Sequence, residues 1–261
     1  MDNFISYYWN INDVKSELRA SLEKLLAGNQ ISEEKSEAFF RLLNSNDSVA
    51  QGIIFDQFFY TDSLNRFGIT NFFERFGQLL LEKARKQLQS SPIETVASNG
   101  RKIVGANYAS ALGIIARLGT KDDISLVTSI LNTSKDAEVL YNACLAVGHC
   151  LADTSEVVNE TITALKQIIY DVSLSTNLRI SAVRAFADYE VPEAEELLRK
   201  VSRECDPSIS IYSAYTLAGS SFERNKDFLK QVSDDWGTDV GYPGSEILKM
   251  LRDDSVNSDK E

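Results

Sequence analysis

Between residues 101 and 234 apolar positions recur at spacings of three and four, the period of a helix with one buried face. They fall into four paired segments. The first members are GANYASALGIIARLG (105–119), DAEVLYNACLAVG (136–148), STNLRISAVRAFA (175–187) and DPSISIYSAYTLAG (206–219). In the last of these Asp206 is a good N-cap, and Pro207 stands at the first helical position, where a missing N–H costs nothing. Ile209, Ser213 and Leu217 then mark one face, and Gly219 is the expected stop. Each first member is followed by a second amphipathic segment, at 122–132, 155–171, 192–204 and 222–234.

Aligning Ala111, Ala143, Ala182 and Ser213 spaces the copies by 32, 39 and 31 residues. Small residues recur at the centre of each copy (Ala111 and Ala116, Ala143 and Ala146, Ala182 and Ala185, Ser213 and Ala218), and they let neighbouring helix axes approach closely. Two helices every 31–39 residues predict an all-α protein of the α-solenoid type, with about 12–13 helices in all. Upstream, helices are expected near 12–27, 32–44, 47–60 and 71–89, with Asp13, Ser32 and Asn71 as starts and Gly28 and Gly68 as breaks. The expected organisation is therefore a helical N-terminal cap of divergent hairpins over 1–100, repeats over 101–254, and a disordered polar tail over 255–261.

Several of these pieces resemble the HEAT-repeat (armadillo-like) family, in which an Asp-Pro start leads to a Val-Arg pair and an Ala-x-x-Ala-Leu-Gly finish. Here they are Asp206-Pro207, Leu178-Arg179, Ala182-Val183-Arg184-Ala185-Phe186 and Ala143-Cys144-Leu145-Ala146-Val147-Gly148. Leu140-Tyr141 and Ile211-Tyr212 depart from the pattern, since each lacks the arginine. The resemblance implies a right-handed superhelix of hairpins whose second helices line a concave side. SNDSVAQGIIFDQ (45–57) followed by GANYASALG is also similar to bacterial HEAT-like proteins, some of which look like immunity partners of toxins. That similarity implies a non-enzymatic inhibitor. HEAT-like proteins also include enzymes. Metal hydroxylases of this kind need several His-Glu pairs, and DNA glycosylases need a basic groove. A chromophore lyase needs little more than a shaped groove and stays open as an alternative, as does a scaffold subunit of a larger assembly.

Charge narrows the partner. The chain carries a formal net charge of −11, with 13 acids and 10 bases in residues 1–100 and 25 and 17 in the remainder. Such a field repels nucleic-acid phosphates and anionic lipid, and it steers basic proteins inward. The expected partner is a protein with a basic surface, such as a nucleic-acid-targeting toxin; neither direct nucleic-acid binding nor membrane binding is expected. An N-terminus without a basic start or apolar stretch, three cysteines and no long apolar run predict a cytoplasmic protein.

The candidate contact residues come from the second helices, where polar positions three or four apart share a face. Glu156, Glu160, Glu193, Glu196 and Asp227 are the partner-binding candidates. A solvated helix face is the simpler reading of each alone. In the run Phe55-Asp56-Gln57-Phe58-Phe59-Tyr60 the simpler reading is an aromatic cap on the first hydrophobic face. The functional one is a small-molecule pocket rimmed by Asp56, Tyr60, Asp62 and Arg66. No catalytic residue, cofactor or metal is expected. The single His149 points about 100° from Cys150 around a helix, and Cys144 lies about 120° from Cys150, so the three do not converge on one ion. DDWGTDVGYPG (234–244) lacks the calcium-loop order and reads as a capping loop carrying Trp236.

Overall fold

A computed structural model of the chain describes residues 7–26, 32–60, 70–97, 100–234, 236–237 and 239–258. It is 73% helical, so the protein is all-α. The helices are α1 (Ser16–Leu26), α2 (Glu33–Leu43), α3 (Ser48–Tyr60), α4 (Thr70–Leu88), α5 (Ala106–Leu118), α6 (Ile124–Thr133), α7 (Ala137–Leu151), α8 (Asn159–Tyr170), α9 (Thr176–Arg184), α10 (Pro192–Glu204), α11 (Pro207–Ser233) and α12 (Gly244–Ser258). Between α4 and α5 lies a two-stranded antiparallel hairpin, β1 (Glu94–Val96) and β2 (Lys102–Val104). The chain divides into two compact units, Met1–Ala146 and Val147–Glu261, with the division inside α7. The boundary expected at residue 100 falls at the turn of the hairpin. Residues 255–258 continue α12 as helix.

The first unit is organised around α3 and α5. Helix α3 carries apolar residues around its whole circumference, and Ile53, Ile54, Phe55 and Phe58 are all buried, together with the polar Gln51 and Asp56. It packs on α2, α4 and α5. Phe58 and Phe76 sit 5.6 and 5.0 Å from Phe39, centroid to centroid, so Phe58 is part of the core. Ahead of α1, Tyr8 and Trp9 are buried at 0% and 2% exposure, on a stretch with almost no regular structure of its own. Trp9 lies against Gly52 of α3, and its indole N–H donates to Ser110 Oγ of α5 at 2.8 Å. The Tyr8 hydroxyl accepts from Asn142 Nδ2 of α7 at 2.9 Å, and its carbonyl accepts from Thr95 Oγ1 of β1.

In the second unit the helices pack on near neighbours in sequence. Helix α9 touches α8 and α11, α10 touches α11 and α8, and α12 closes on α11. The small-residue positions do what their size allows. A Cβ on Gly148 would stand 2.9 Å from the Ala185 Cα, so α7 passes α9 at backbone distance there. Helix α11 does not stop at Gly219. It continues to Ser221, whose non-helical backbone (φ −158°, ψ 58°) divides it into two helical stretches. The Asn225 side chain, fully buried, donates to the Ser221 carbonyl at 3.0 Å and accepts from Arg199 Nε at 2.8 Å, which fixes the bend.

Three aspartates that open helices use their two oxygens for different jobs. Asp47 Oδ1 caps α3 through the amides of Val49 and Ala50, while Oδ2 accepts from the Lys15 amide. Asp136 Oδ1 caps α7 at Glu138 and Val139, and Oδ2 accepts from the Val104 amide of β2. Asp206 Oδ1 caps α11 at Ile209, and Oδ2 pairs with Arg179 Nη1 at 2.7 Å. One residue type thus sets a helix start and its register against another element. Loss of a cap alone costs ~0.5–2 kcal/mol.

Candidate functional site

All five partner-binding candidates are exposed in the second unit. Glu160 lies in the first turn of α8 and Glu193 in the first turn of α10, where carboxylates also complement the helix dipole. Glu196 follows one turn later on α10, and Asp227 lies on the second half of α11. Glu156 differs from expectation. It precedes α8, which begins at Asn159, and sits in the segment leading from α7.

That segment is held by Tyr189. Its buried hydroxyl donates to the Glu156 carbonyl at 2.6 Å and accepts from the Val158 amide at 2.9 Å. Burial pushes the Tyr189 hydroxyl above its ordinary pKa; the Val158 N–H opposes this, and the Glu193 charge adds to it. The Glu156 backbone and the Glu193 charge therefore both act on one hydroxyl, although the two residues are far apart in sequence. The packing of α8 on α10, and of α10 on α11, brings Glu160, Glu196 and Asp227 onto successive elements.

The face is not uniformly acidic. Helix α10 carries Glu193, Glu195 and Glu196 early and Arg199, Lys200 and Arg203 late. Arg199 and Arg203 rest over the Phe228 ring of α11, 5.9 and 4.8 Å from its centroid. Arg224 pairs with Glu195 at 2.7 Å and Glu190 at 3.5 Å. Exposed pairs of this type contribute about 0–1 kcal/mol each. What they change is the field, which runs from negative at the start of α10 to mixed at its end.

The aromatic candidate is placed in part. Asp56 is fully buried in α3, and Phe55 and Phe58 are core. The side chain of Tyr60, and Asp62 and Arg66, lie outside the described residues. An open depression of about 710 Å³ runs elsewhere along α4, lined by Gln78, Leu79, Glu82, Arg85, Lys86 and Gln89. Its Arg85 makes a bidentate pair with Asp123 at 2.7 and 2.9 Å, which ties α4 to the start of α6.

Cys144 and Cys150 are buried on α7, and Cys205 is half-buried. Burial pushes the Cys205 thiol up, against the opposing pull of Arg179, which disfavours the nucleophilic thiolate at neutral pH. Among the described residues no group of three or more His, Cys, Asp or Glu side chains could hold a metal ion, and no helix is long and apolar enough to cross a membrane.

Two features escaped the sequence reading. The hairpin had a faint signal, the alternations ETV and KIV around Ser98-Asn99-Gly100. The burial of Tyr8 and Trp9 had none beyond their aromatic character. The chain matches no protein-family model, no curated protein and no solved structure.

Proposed function

We propose that the chain is a non-enzymatic, protein-binding α-solenoid of HEAT-like hairpins, and that it acts as an inhibitor of the immunity-protein kind. In this reading it blocks a basic protein, such as a toxin that acts on nucleic acid, through the acidic end of the α8–α10 face. One observation carries most of the weight. The Tyr189 hydroxyl holds the Glu156 backbone and feels the Glu193 charge, and α8, which follows Glu156, packs on α10, which opens with Glu193, so acids distant in sequence are carried by neighbouring elements. A toxin acting on nucleic acid presents a basic surface, and opposite charge speeds its capture. A groove between stacked hairpins has room for the ~1,000 Å² that a specific interface buries.

The test is a pull-down from a lysate of the source organism with the tagged chain, washed at low and high salt. The expected result is one stoichiometric basic protein, retained by the parent and lost from the Glu156→Lys/Glu193→Lys double variant. For the isolated pair, the double variant slows association and flattens its dependence on ionic strength. Equal capture by parent and variant would place the contact elsewhere and remove the acidic patch from the proposal.

A further inference from the structure

Tyr8 and Trp9 belong to no helix or strand, yet four elements distant in sequence combine to seat them. The Trp9 indole fills a recess that exists because Gly52 of α3 has no Cβ, and its N–H donates to Ser110 Oγ of α5, itself 2% exposed. The Tyr8 carbonyl accepts from Thr95 of β1, and its hydroxyl accepts from Asn142 of α7. Past Trp9 the chain turns on itself, with the Asp13 amide donating to the Asn10 carbonyl and the Val14 amide to the Ile11 carbonyl. The base of the segment is fastened to α1. Arg19 donates to the Asn12 and Val14 carbonyls, and the Lys15 amide donates to Asp47 Oδ2.

Two features set this segment apart from the core it joins. The receiving helices pack without it, α5 directly on α3 and on α4. Docking also carries a penalty. Asn142 is 1% exposed, and its amide group donates to both the Tyr8 hydroxyl and the Glu138 carbonyl. This fixes the orientation of the side chain and leaves Oδ1 buried, with no donor reaching it among the described residues. A buried acceptor without a partner destabilises the state that buries it, and water satisfies it once the cover lifts. The anchors of Tyr8 and Trp9 named here are side-chain bonds rather than rungs of a backbone ladder, as in regions that open below the global unfolding free energy.

We propose that residues 7–14 are a latch. Tyr8 and Trp9 leave together, pivoting at Lys15, while α3 and α5 stay folded. The recess so opened takes an indole ring bearing a free N–H from another molecule. Its chemistry defines the ligand: Gly52 leaves room for a fused bicyclic ring, and Ser110 Oγ accepts one N–H, which a phenyl ring does not supply. The ring comes either as a free indole or as the tryptophan of another protein. The latch lies within the first unit and does not depend on the reading of the acidic residues in the second.

The experiment is NMR of the ¹⁵N-labelled full chain, whose two tryptophans give two indole N–H signals; Trp9→Ala identifies that of Trp9. In the parent, the Trp9 indole N–H should exchange with solvent ~tenfold or more faster than the amides inside α5. These rates need no variant. In Trp9→Ala, free indole at millimolar concentration should shift the Gly52 and Ser110 amides saturably, and N-methylindole, which lacks the donor, should bind about fivefold more weakly. A capped Tyr-Trp dipeptide separates the two sources. Tighter binding than free indole assigns the recess to a protein segment, because the dipeptide also offers the groups that meet Thr95 and Asn142; equal binding assigns it to a small molecule. The proposal is overturned if the Trp9 indole N–H exchanges as slowly as the α5 amides. It is also overturned if neither indole nor the dipeptide moves the Gly52 and Ser110 amides of Trp9→Ala while its α5 amides stay protected.

Discussion

Substituting Gly52 by alanine puts one methyl group where the Trp9 indole already sits. An ideal Cβ at this position would lie 2.2 Å from Trp9 Nε1, 2.4 Å from Cε2 and 2.8 Å from Cζ2. Ordinary contacts between such atoms need roughly 3.5–4.0 Å, so ring or helix must move by more than about 1 Å. Gly52 is interior to α3, and alanine there would by itself favour the helix by ~0.5–1 kcal/mol. Overpacking costs ~1–3 kcal/mol, and losing the Trp9–Ser110 hydrogen bond costs about 1 kcal/mol more. The net expectation for Gly52→Ala is a loss of roughly 1–3 kcal/mol. In a Trp9→Ala background the clash is gone and only the helix preference remains, so the same change should stabilise by ~0.5–1 kcal/mol. Stability would be read from urea unfolding at 222 nm for the four proteins of the cycle, all in a fixed concentration of sucrose so that the Trp9→Ala pair stays folded. Emission adds a second reading: of the two tryptophans, Trp9 is buried, and Gly52→Ala should shift its fluorescence to the red. If Gly52→Ala is as stable as its parent, or if the two changes are additive, the wedged placement of Trp9 is wrong.

Two further expectations concern charged groups. At Asp123 burial would raise the carboxyl pKa, but hydrogen bonds from Arg85 and from the Thr120 amide, with the guanidinium charge, outweigh it and hold the value below the usual range. A depressed folded-state pKa means that the contribution is present above the unfolded value near ~3.9 and is lost as pH falls through the folded one. Asp123→Asn should therefore lower stability at neutral pH and flatten its slope below pH ~4, measured as urea midpoints across pH; an unchanged slope would refute the pairing. Arg179, 7% exposed, joins the Ile169 carbonyl of α8 to Asp206 at the start of α11. Arg179→Ala should cost ~3 kcal/mol or more by thermal unfolding, and Arg179→Met distinctly less, because methionine refills the space without a buried charge.

Much of the helical framework was legible because its causes are local. Ser32 caps α2 by accepting from the Lys35 amide, and Asp206 caps α11 three residues ahead of Ile209. In both cases the signal and its effect lie within one turn. Periodicity likewise placed α5, α6, α7 and α10 close to their ends. The end of the helix that Asp206 opens was misplaced. Gly219 read as a stop, yet nothing approaches a Cβ built there, and the bend comes at Ser221 because buried Asn225 holds its carbonyl. Glu156 was assigned to a helix, whereas Tyr189, far along the chain, holds it in a loop.

The sequence by itself determined an all-α protein with a negative field, because helix periodicity, caps and charge are properties of short windows and of sums. Tertiary structure alone decided the hairpin, whose three-residue strands are too short to announce themselves and are held by Asn107 and Asp136. It alone decided that Tyr8 and Trp9 are core, since their partners Gly52, Ser110 and Asn142 lie 43 to 134 residues away. It also set Glu160, Glu193, Glu196 and Asp227 on helices that pack against one another, α8 on α10 and α10 on α11. The physical reason is common to all three: a paired hairpin, a buried ring and acids on packed helices each depend on groups from different elements, and no short window of sequence contains them all.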